Sequence, residues 1–181
     1  MQKSEIRGII VPILTPMHKD EKLNLEELRR QVDRMIGAGI HGIFCLGTNG
    51  EAFALSDEEK RQVIRTTVEQ AAGRVPVYAG TGCVTTRDTL ELSLYAQEVG
   101  ADALSIITPY FAASSQEQLY RHYETIANAV RIPIIVYNIP ARTGASVSPK
   151  LWKKMTKLER IAGSKDSSGN FDNRLQYRRN S

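Results

Sequence analysis

Six short apolar, β-branched runs recur along the chain at intervals of roughly 30 residues, the size of a strand–helix–strand repeat. They are Gly8–Leu14, Gly42–Leu46, Val75–Ala79, Ala103–Ile107, Ile132–Tyr137 and Ile161–Ser164. Each is nearly continuous in hydrophobicity, the pattern of a parallel strand covered on both faces by helices. The segments between them carry helical periodicity and recognisable starts. Asn24 precedes Leu25-Glu-Glu27, while Ser56 to Glu59 and Ser115 to Gln118 have capping-box spacing. Ser148 stands before Pro149, a residue suited to the first helical turn, and glycines at 37, 39, 73 and 100 mark helix ends.

This order leaves two architectures, an open doubly wound sheet or consecutive units of a closed barrel. The first usually carries a glycine-rich fingerprint after its first strand, where this chain reads Thr15-Pro-Met-His18. The fold class is therefore an α/β (β/α)8 TIM barrel. A complete barrel needs about 250 residues, and the chain has 181. It reads as a single partial TIM-barrel domain over residues 1–181, truncated to about six strand–helix units, with the last two units and any C-terminal helical region missing. An unclosed barrel exposes its first and sixth strands as edges, so such a chain is expected to need further units from another chain for stability.

Composition narrows the function classes. With 41% hydrophobic and 24% charged residues and a net charge of +4, the chain is ordinary for a soluble globular domain. Its basic residues are dispersed and lack interleaved aromatics, which argues against nucleic acid as a partner. Cys45 and Cys83 lack metal-ligand spacing and read as buried, reduced thiols of a cytoplasmic protein. The N-terminal residues lack the apolar run of a signal peptide, and no stretch is long enough to span a membrane.

In parallel α/β folds, chemistry gathers at the carboxyl ends of the strands. Those positions here are Thr15, Gly47-Thr-Asn-Gly-Glu51, Gly80-Thr-Gly82, Thr108-Pro-Tyr110, Tyr137-Asn138 and Lys165-Asp166. If Ile161–Ser164 is buried on both faces, Lys165 has its amine inside. Desolvation then lowers its pKa and frees a nucleophile able to form a Schiff base with a ketone. A surface lysine opening a loop is the plainer alternative. Tyr137 falls on the neighbouring strand, where its phenol can move protons on a lysine adduct or serve as a core tyrosine. The Gly47–Gly50 turn can offer backbone N–H groups to a small carboxylate or be only a turn. Arg142 can clamp a second carboxylate or pair with a surface acid. His18, His41 and His122 have no metal spacing and are assigned no chemistry. Trp152 is assigned to packing, and Gly80-Thr-Gly82 to a close backbone approach.

Together, Gly47-Thr-Asn-Gly-Glu51, Tyr137-Asn-Ile-Pro-Ala-Arg-Thr-Gly144 and Gly163-Ser-Lys-Asp-Ser-Ser-Gly169 resemble the dihydrodipicolinate synthase / N-acetylneuraminate lyase family of class I aldolases. The resemblance runs from about Ile6 to about Tyr177. It implies a (β/α)8 barrel, usually assembled as a homotetramer or dimer at full length, and no cofactor beyond a covalent imine of pyruvate on Lys165. It further implies that Tyr137 shuttles protons. Thr48 relays protons and, with the backbone of Asn49, holds the pyruvate carboxylate. Arg142 binds the carboxylate of aspartate semialdehyde, which points to the synthases of lysine biosynthesis rather than to sialic acid lyases.

Two positions depart from the synthase pattern. Asn49 replaces a second threonine, and Phe111 stands where synthases use a tyrosine reached across a subunit interface. Tyr110 beside it points to the other side of an extended stretch and is kept as a substrate-binding candidate. The expected function is therefore a pyruvate-dependent lyase most like dihydrodipicolinate synthase, acting on pyruvate and an aldehyde. A 2-keto-3-deoxy sugar acid aldolase or N-acetylneuraminate lyase is the near alternative. An inactive truncated fragment, serving only as an interaction partner, is the alternative from another class.

Overall fold

The β-branched runs form strands and the capped segments form helices in a computed structural model that describes residues 6–179. The strands are β1 Ile10–Pro12, β2 Gly42–Cys45, β3 Val77–Gly80, β4 Ala103–Ile107, β5 Ile134–Asn138 and β6 Ile161–Asp166. The helices are α1 Leu25–Gly37, α2 Asp57–Ala71, α3 Thr86–Glu98, α4 Gln116–Ala129, α5 Pro140–Thr143, α6 Pro149–Met155 and α7 Phe171–Arg179. Sheet order follows chain order, β1 to β6. Among the described residues no helix is long and apolar enough to cross a membrane.

Helix starts follow the local chemistry of the sequence. The Asn24 side chain accepts from the Glu27 N–H at 3.0 Å. Ser56 with Glu59 and Ser115 with Gln118 form complete capping boxes, satisfying N–H groups that the first turn leaves open. Ser148 Oγ accepts from the Leu151 N–H at 3.1 Å, with Pro149 at the first helical position. Gly39, Gly73 and Gly100 take positive φ after α1, α2 and α3.

The chain divides into two compact units. One comprises the chain up to Gly80 together with Tyr95–Leu104. In it β2 pairs with β1 through Ile10↔Gly42 and with β3 through Ile43↔Val77, both parallel. Leu28, Val32, Ile43, Val63 and Ile64 are buried at 1% exposure or less, as expected where the apolar stripes of α1 and α2 cover a sheet. Cys45, also free and buried, has its thiol pushed up to about 12 by desolvation.

The other unit comprises Thr81–Leu94 and the chain from Ser105 onward. Here β5 pairs in parallel with β6, and α4 buries Leu119, Tyr123 and Ile126 completely. Tyr123 donates its hydroxyl to the Ile106 carbonyl at 2.9 Å, and burial raises its pKa. Trp152 on α6 is 2% exposed, packs its ring 5.5 Å from that of Tyr177 on α7, and donates Nε1–H to the Tyr177 carbonyl at 3.0 Å. Its packing role is thus specific.

The outer strands correct one expectation. β2 and β3 are buried throughout, but β1 is half-buried along its length and β6 buries only Ile161. β1 and β6 end the sheet, so each is covered by fewer neighbours than an inner strand.

His122 on α4 is 3% exposed, with Nδ1 hydrogen-bonded to the Thr86 hydroxyl at 2.9 Å. Its ring stands edge-on to Tyr123 at 5.1 Å, and Nε2 has no partner among the described residues. Desolvation lowers its pKa from 6.5 to about 4, so the folded state keeps the ring neutral where the unfolded chain takes up a proton. The stability this secures is fully present above pH 6.5 and is lost as pH falls toward 4. Unfolding free energy should therefore rise with pH across that window, with a slope of up to about 1.4 kcal/mol per pH unit from this group. Urea titrations at several pH values check this. His122→Gln should flatten the slope, and an unchanged slope would discard the assignment.

Candidate active site

Parallel pairing of β5 and β6 sets Tyr137 opposite Lys165 and Asn138 opposite Asp166. Side chains alternate along a strand, so the first pair shares one face and the second pair the other. Tyr137 is 5% exposed. The Lys165 amine lies 3.4 Å from the centroid of the Tyr137 ring, within the range of a cation–π contact, and donates to Ser167 Oγ at 3.3 Å. The two residues that the strand spacing put on neighbouring strands are in direct contact.

Complete enclosure of that amine does not hold. Lys165 is half-buried, Ser164 and Ser167 beside it are exposed, and the bond to Ser167 lies in an exposed setting. Among the described residues no further strand lies beside β6 in the sheet. The two residues that precede Lys165, Gly163 and Ser164, also carry little or no side chain to cover it.

On the opposite face, Asn138 is fully buried. Its Nδ2 donates to Asp166 Oδ1 at 2.7 Å and its Oδ1 accepts from the Val147 N–H at 3.0 Å. Neither Asn138 nor Asp166 was given a role from sequence. The usable signal was that each directly follows a site candidate, which in parallel register makes them partners.

Arg142 is exposed on the short α5, and its guanidinium forms no ion pair among the described residues. The turn carrying it is anchored by Thr143, 5% exposed, whose Oγ1 accepts from the Thr108 hydroxyl at 2.9 Å and donates to the Ala145 carbonyl at 3.0 Å. Tyr110 is half-buried, whereas Phe111 is 98% exposed with φ 76°. A bulky side chain in the left-handed region is uncommon and strained.

Thr48 and Asn49 belong to the first unit, and the other candidates to the second. After β2 the backbone turns at Leu46 (φ 57°). The turn closes through Gly50 N–H to Gly47 O at 3.0 Å and Glu51 N–H to Thr48 O at 3.2 Å. Thr15 Oγ1 donates to the Gly50 carbonyl at 2.7 Å. Thr48 is half-buried and Asn49 exposed. Two of the turn's N–H groups, those of Gly50 and Glu51, are thus spent within it. Gly80 and Gly82 do mark close approaches. A Cβ on Gly80 would lie 2.2 Å from the Leu46 carbonyl oxygen, and one on Gly82 would lie 2.5 Å from Ile107 Cγ2.

A family model described as the dihydrodipicolinate synthetase family matches residues 5–181. The 4-hydroxy-tetrahydrodipicolinate synthase of Methanopyrus kandleri is 44% identical over 170 residues, covering 93% of this chain and 57% of the relative. That of Methylococcus capsulatus is 43% identical over 173 residues, covering 96% and 60%. Among solved structures, the dihydrodipicolinate synthase of Acinetobacter baumannii complexed with pyruvate superimposes with a TM-score of 0.90 at 42% identity, over 93% of this chain and 58% of that one. The Aquifex aeolicus enzyme gives 0.94 at 36% identity, over 97% and 60%. The chain thus spans between 57% and 60% of the length of these relatives. Its six strand–helix units have the fold of the matching part of these TIM-barrel enzymes. With the family model matching residues 5–181, nearly the whole of this chain, the chain belongs to the dihydrodipicolinate synthetase family.

Proposed function

We propose that the chain carries the imine-forming site of a pyruvate-dependent class I lyase, most like 4-hydroxy-tetrahydrodipicolinate synthase. The observation that carries this reading is the register that sets Lys165 opposite Tyr137, with Nζ 3.4 Å from the ring centroid. It is supported by relatives named as that synthase and by a related structure complexed with pyruvate.

The neutral Lys165 amine attacks the keto carbon of pyruvate. A C–N bond forms as the carbonyl π bond opens, the amine's two protons end on the keto oxygen, and the C–O bond breaks to release water and give the imine. Loss of a C3 proton yields an enamine, whose C3 attacks the aldehyde carbon of aspartate semialdehyde while the aldehyde oxygen takes up a proton. Tyr137 moves protons in these steps. Thr48 relays protons and, with the backbone of Asn49, holds the pyruvate carboxylate. Arg142, projecting from α5, binds the carboxylate of the aldehyde, and Tyr110 contributes to substrate binding. The imine on Lys165 takes the place of an external cofactor. A cytoplasmic homo-oligomer completes this reading, and Cys45 and Cys83, buried and outside any disulfide, suit a reducing compartment.

Two observations favour a second acceptor class. Phe111 has no hydroxyl and Asn49 is exposed in its turn, which fits an aldolase acting on 2-keto-3-deoxy sugar acids. Borohydride reduction with pyruvate should place one reduced pyruvate adduct on Lys165, read by peptide mass spectrometry. An unmodified Lys165 at saturating pyruvate would reject both enzymatic readings and leave an inactive chain. Pyruvate consumption with aspartate semialdehyde, compared with sugar-acid aldehydes, separates the two acceptors.

A further inference from the structure

The face of β5–β6 turned away from Tyr137 and Lys165 carries a polar lock that the chemistry above does not use. Asn138 is fully buried, and each polar group of its side chain is bonded. Nδ2 donates to Asp166 Oδ1 at 2.7 Å, and Oδ1 accepts the Val147 N–H at 3.0 Å. The Asn138 carbonyl also accepts the Ser167 N–H at 2.8 Å. The second oxygen of Asp166 accepts the Ser168 hydroxyl at 2.8 Å, and Ser168 Oγ accepts the Asn170 N–H at 3.1 Å. The segment after Lys165 is therefore folded back onto the Asp166 carboxylate. Val147 is held in turn by the Tyr177 phenol, which donates to its carbonyl, and Tyr177 accepts from Trp152 Nε1 at 3.0 Å.

We propose that Asn138, acting through Asp166, is a positioning residue that sets the register of β6 and so places the Lys165 amine over Tyr137. This rests on the Schiff-base reading of Lys165.

The need for such a lock lies in the strand itself. The β5–β6 ladder is irregular at its start, where Ile134 pairs with Ile161 but Ile135 pairs with Gly163, so that Ala162 is the extra residue. Beyond that point β6 reads Gly163-Ser-Lys-Asp166. It offers no apolar side chain whose burial would choose one register over the next. A one-residue slip moves every side chain of a strand to the other face. Here it would turn Lys165 away from Tyr137 and bring its neighbour opposite the phenol. The Asn138–Asp166 bond forms in only one of these registers. A buried amide left without its partners is costly, so the lock discriminates between them.

The test uses the full chain with Asn138→Ala, Asp166→Ala and Asp166→Asn, the last retaining a carbonyl acceptor for Asn138 Nδ2. The rate of borohydride-trapped pyruvate adduct on Lys165 is measured at saturating pyruvate, per folded molecule by circular dichroism. Asn138→Ala and Asp166→Ala should trap on the order of a hundredfold more slowly, as expected for an ångström-scale misplacement of a nucleophile. Asp166→Asn should restore most of the rate. A merely structural role would change the folded fraction but not the rate per folded molecule, and that result would overturn the proposal. If Asn138→Ala does not fold, the pair Asp166→Ala and Asp166→Asn decides alone. An unmodified chain that never traps pyruvate on Lys165 defeats the Schiff-base reading and the positioning role with it. Trapping at the same rate in all variants defeats the positioning role only.

Discussion

Replacing Lys165 by arginine should abolish the borohydride-trapped pyruvate adduct, while Tyr137→Phe should leave it forming on the order of a hundred to ten thousand times more slowly. Arginine keeps the positive charge and much of the length of the side chain. Its guanidinium stays protonated in proteins and cannot act as the amine nucleophile. The contact of the Lys165 amine with the Tyr137 ring at 3.4 Å depends on the face of the ring, which phenylalanine preserves. The tyrosine variant therefore removes the hydroxyl without removing what holds the lysine. Its loss of rate reports proton transfer rather than displacement. Trapping in Lys165→Arg at the rate of the unmodified chain would show that another amine carries the adduct. A full rate in Tyr137→Phe would remove the phenol from the chemistry.

Gly80→Ala should destabilise the first unit by about 3 kcal/mol, at the upper end for an overpacked core. An added Cβ would lie 2.2 Å from the Leu46 oxygen, 2.7 Å from the Leu46 carbonyl carbon and 3.0 Å from the Cys45 oxygen. All three are backbone atoms, so no side chain can rotate to make room. Leu46 already holds φ at 57°, and the turn carrying Thr48 begins there. Relief thus requires shifting the end of β2 and the Thr48 turn with it. The expected signature is a lower urea midpoint with an unchanged m-value, together with a higher pyruvate concentration for half-maximal trapping. A change in stability within about 0.5 kcal/mol, the usual range for a surface substitution, would contradict the close approach.

Much of the architecture was legible because it rests on local physics. The capping boxes at Ser56 and Ser115 and the cap at Ser148 need only residues three apart in the chain. The buried runs of β2 and β3 announce themselves by continuous hydrophobicity. The contact of Tyr137 with Lys165 was legible for a related reason, since consecutive parallel units place the ends of neighbouring strands together. The Asn138–Asp166 bond was legible only as an adjacency of strand positions, because an asparagine and an aspartate at strand ends have the same composition whether they face solvent or each other. Nor was the near-complete exposure of Phe111, since an aromatic residue after a strand reads equally as packing.

The amino-acid sequence by itself determined the order and type of the elements and their caps, because periodicity and short-range hydrogen bonding specify these. Only the tertiary structure decided that the Lys165 amine is half-buried rather than enclosed, and that the buried Asn138 amide is bonded to the Asp166 carboxylate on the other face of that strand. Solvent exposure and register depend on which neighbours flank a strand, and those neighbours lie far away along the chain.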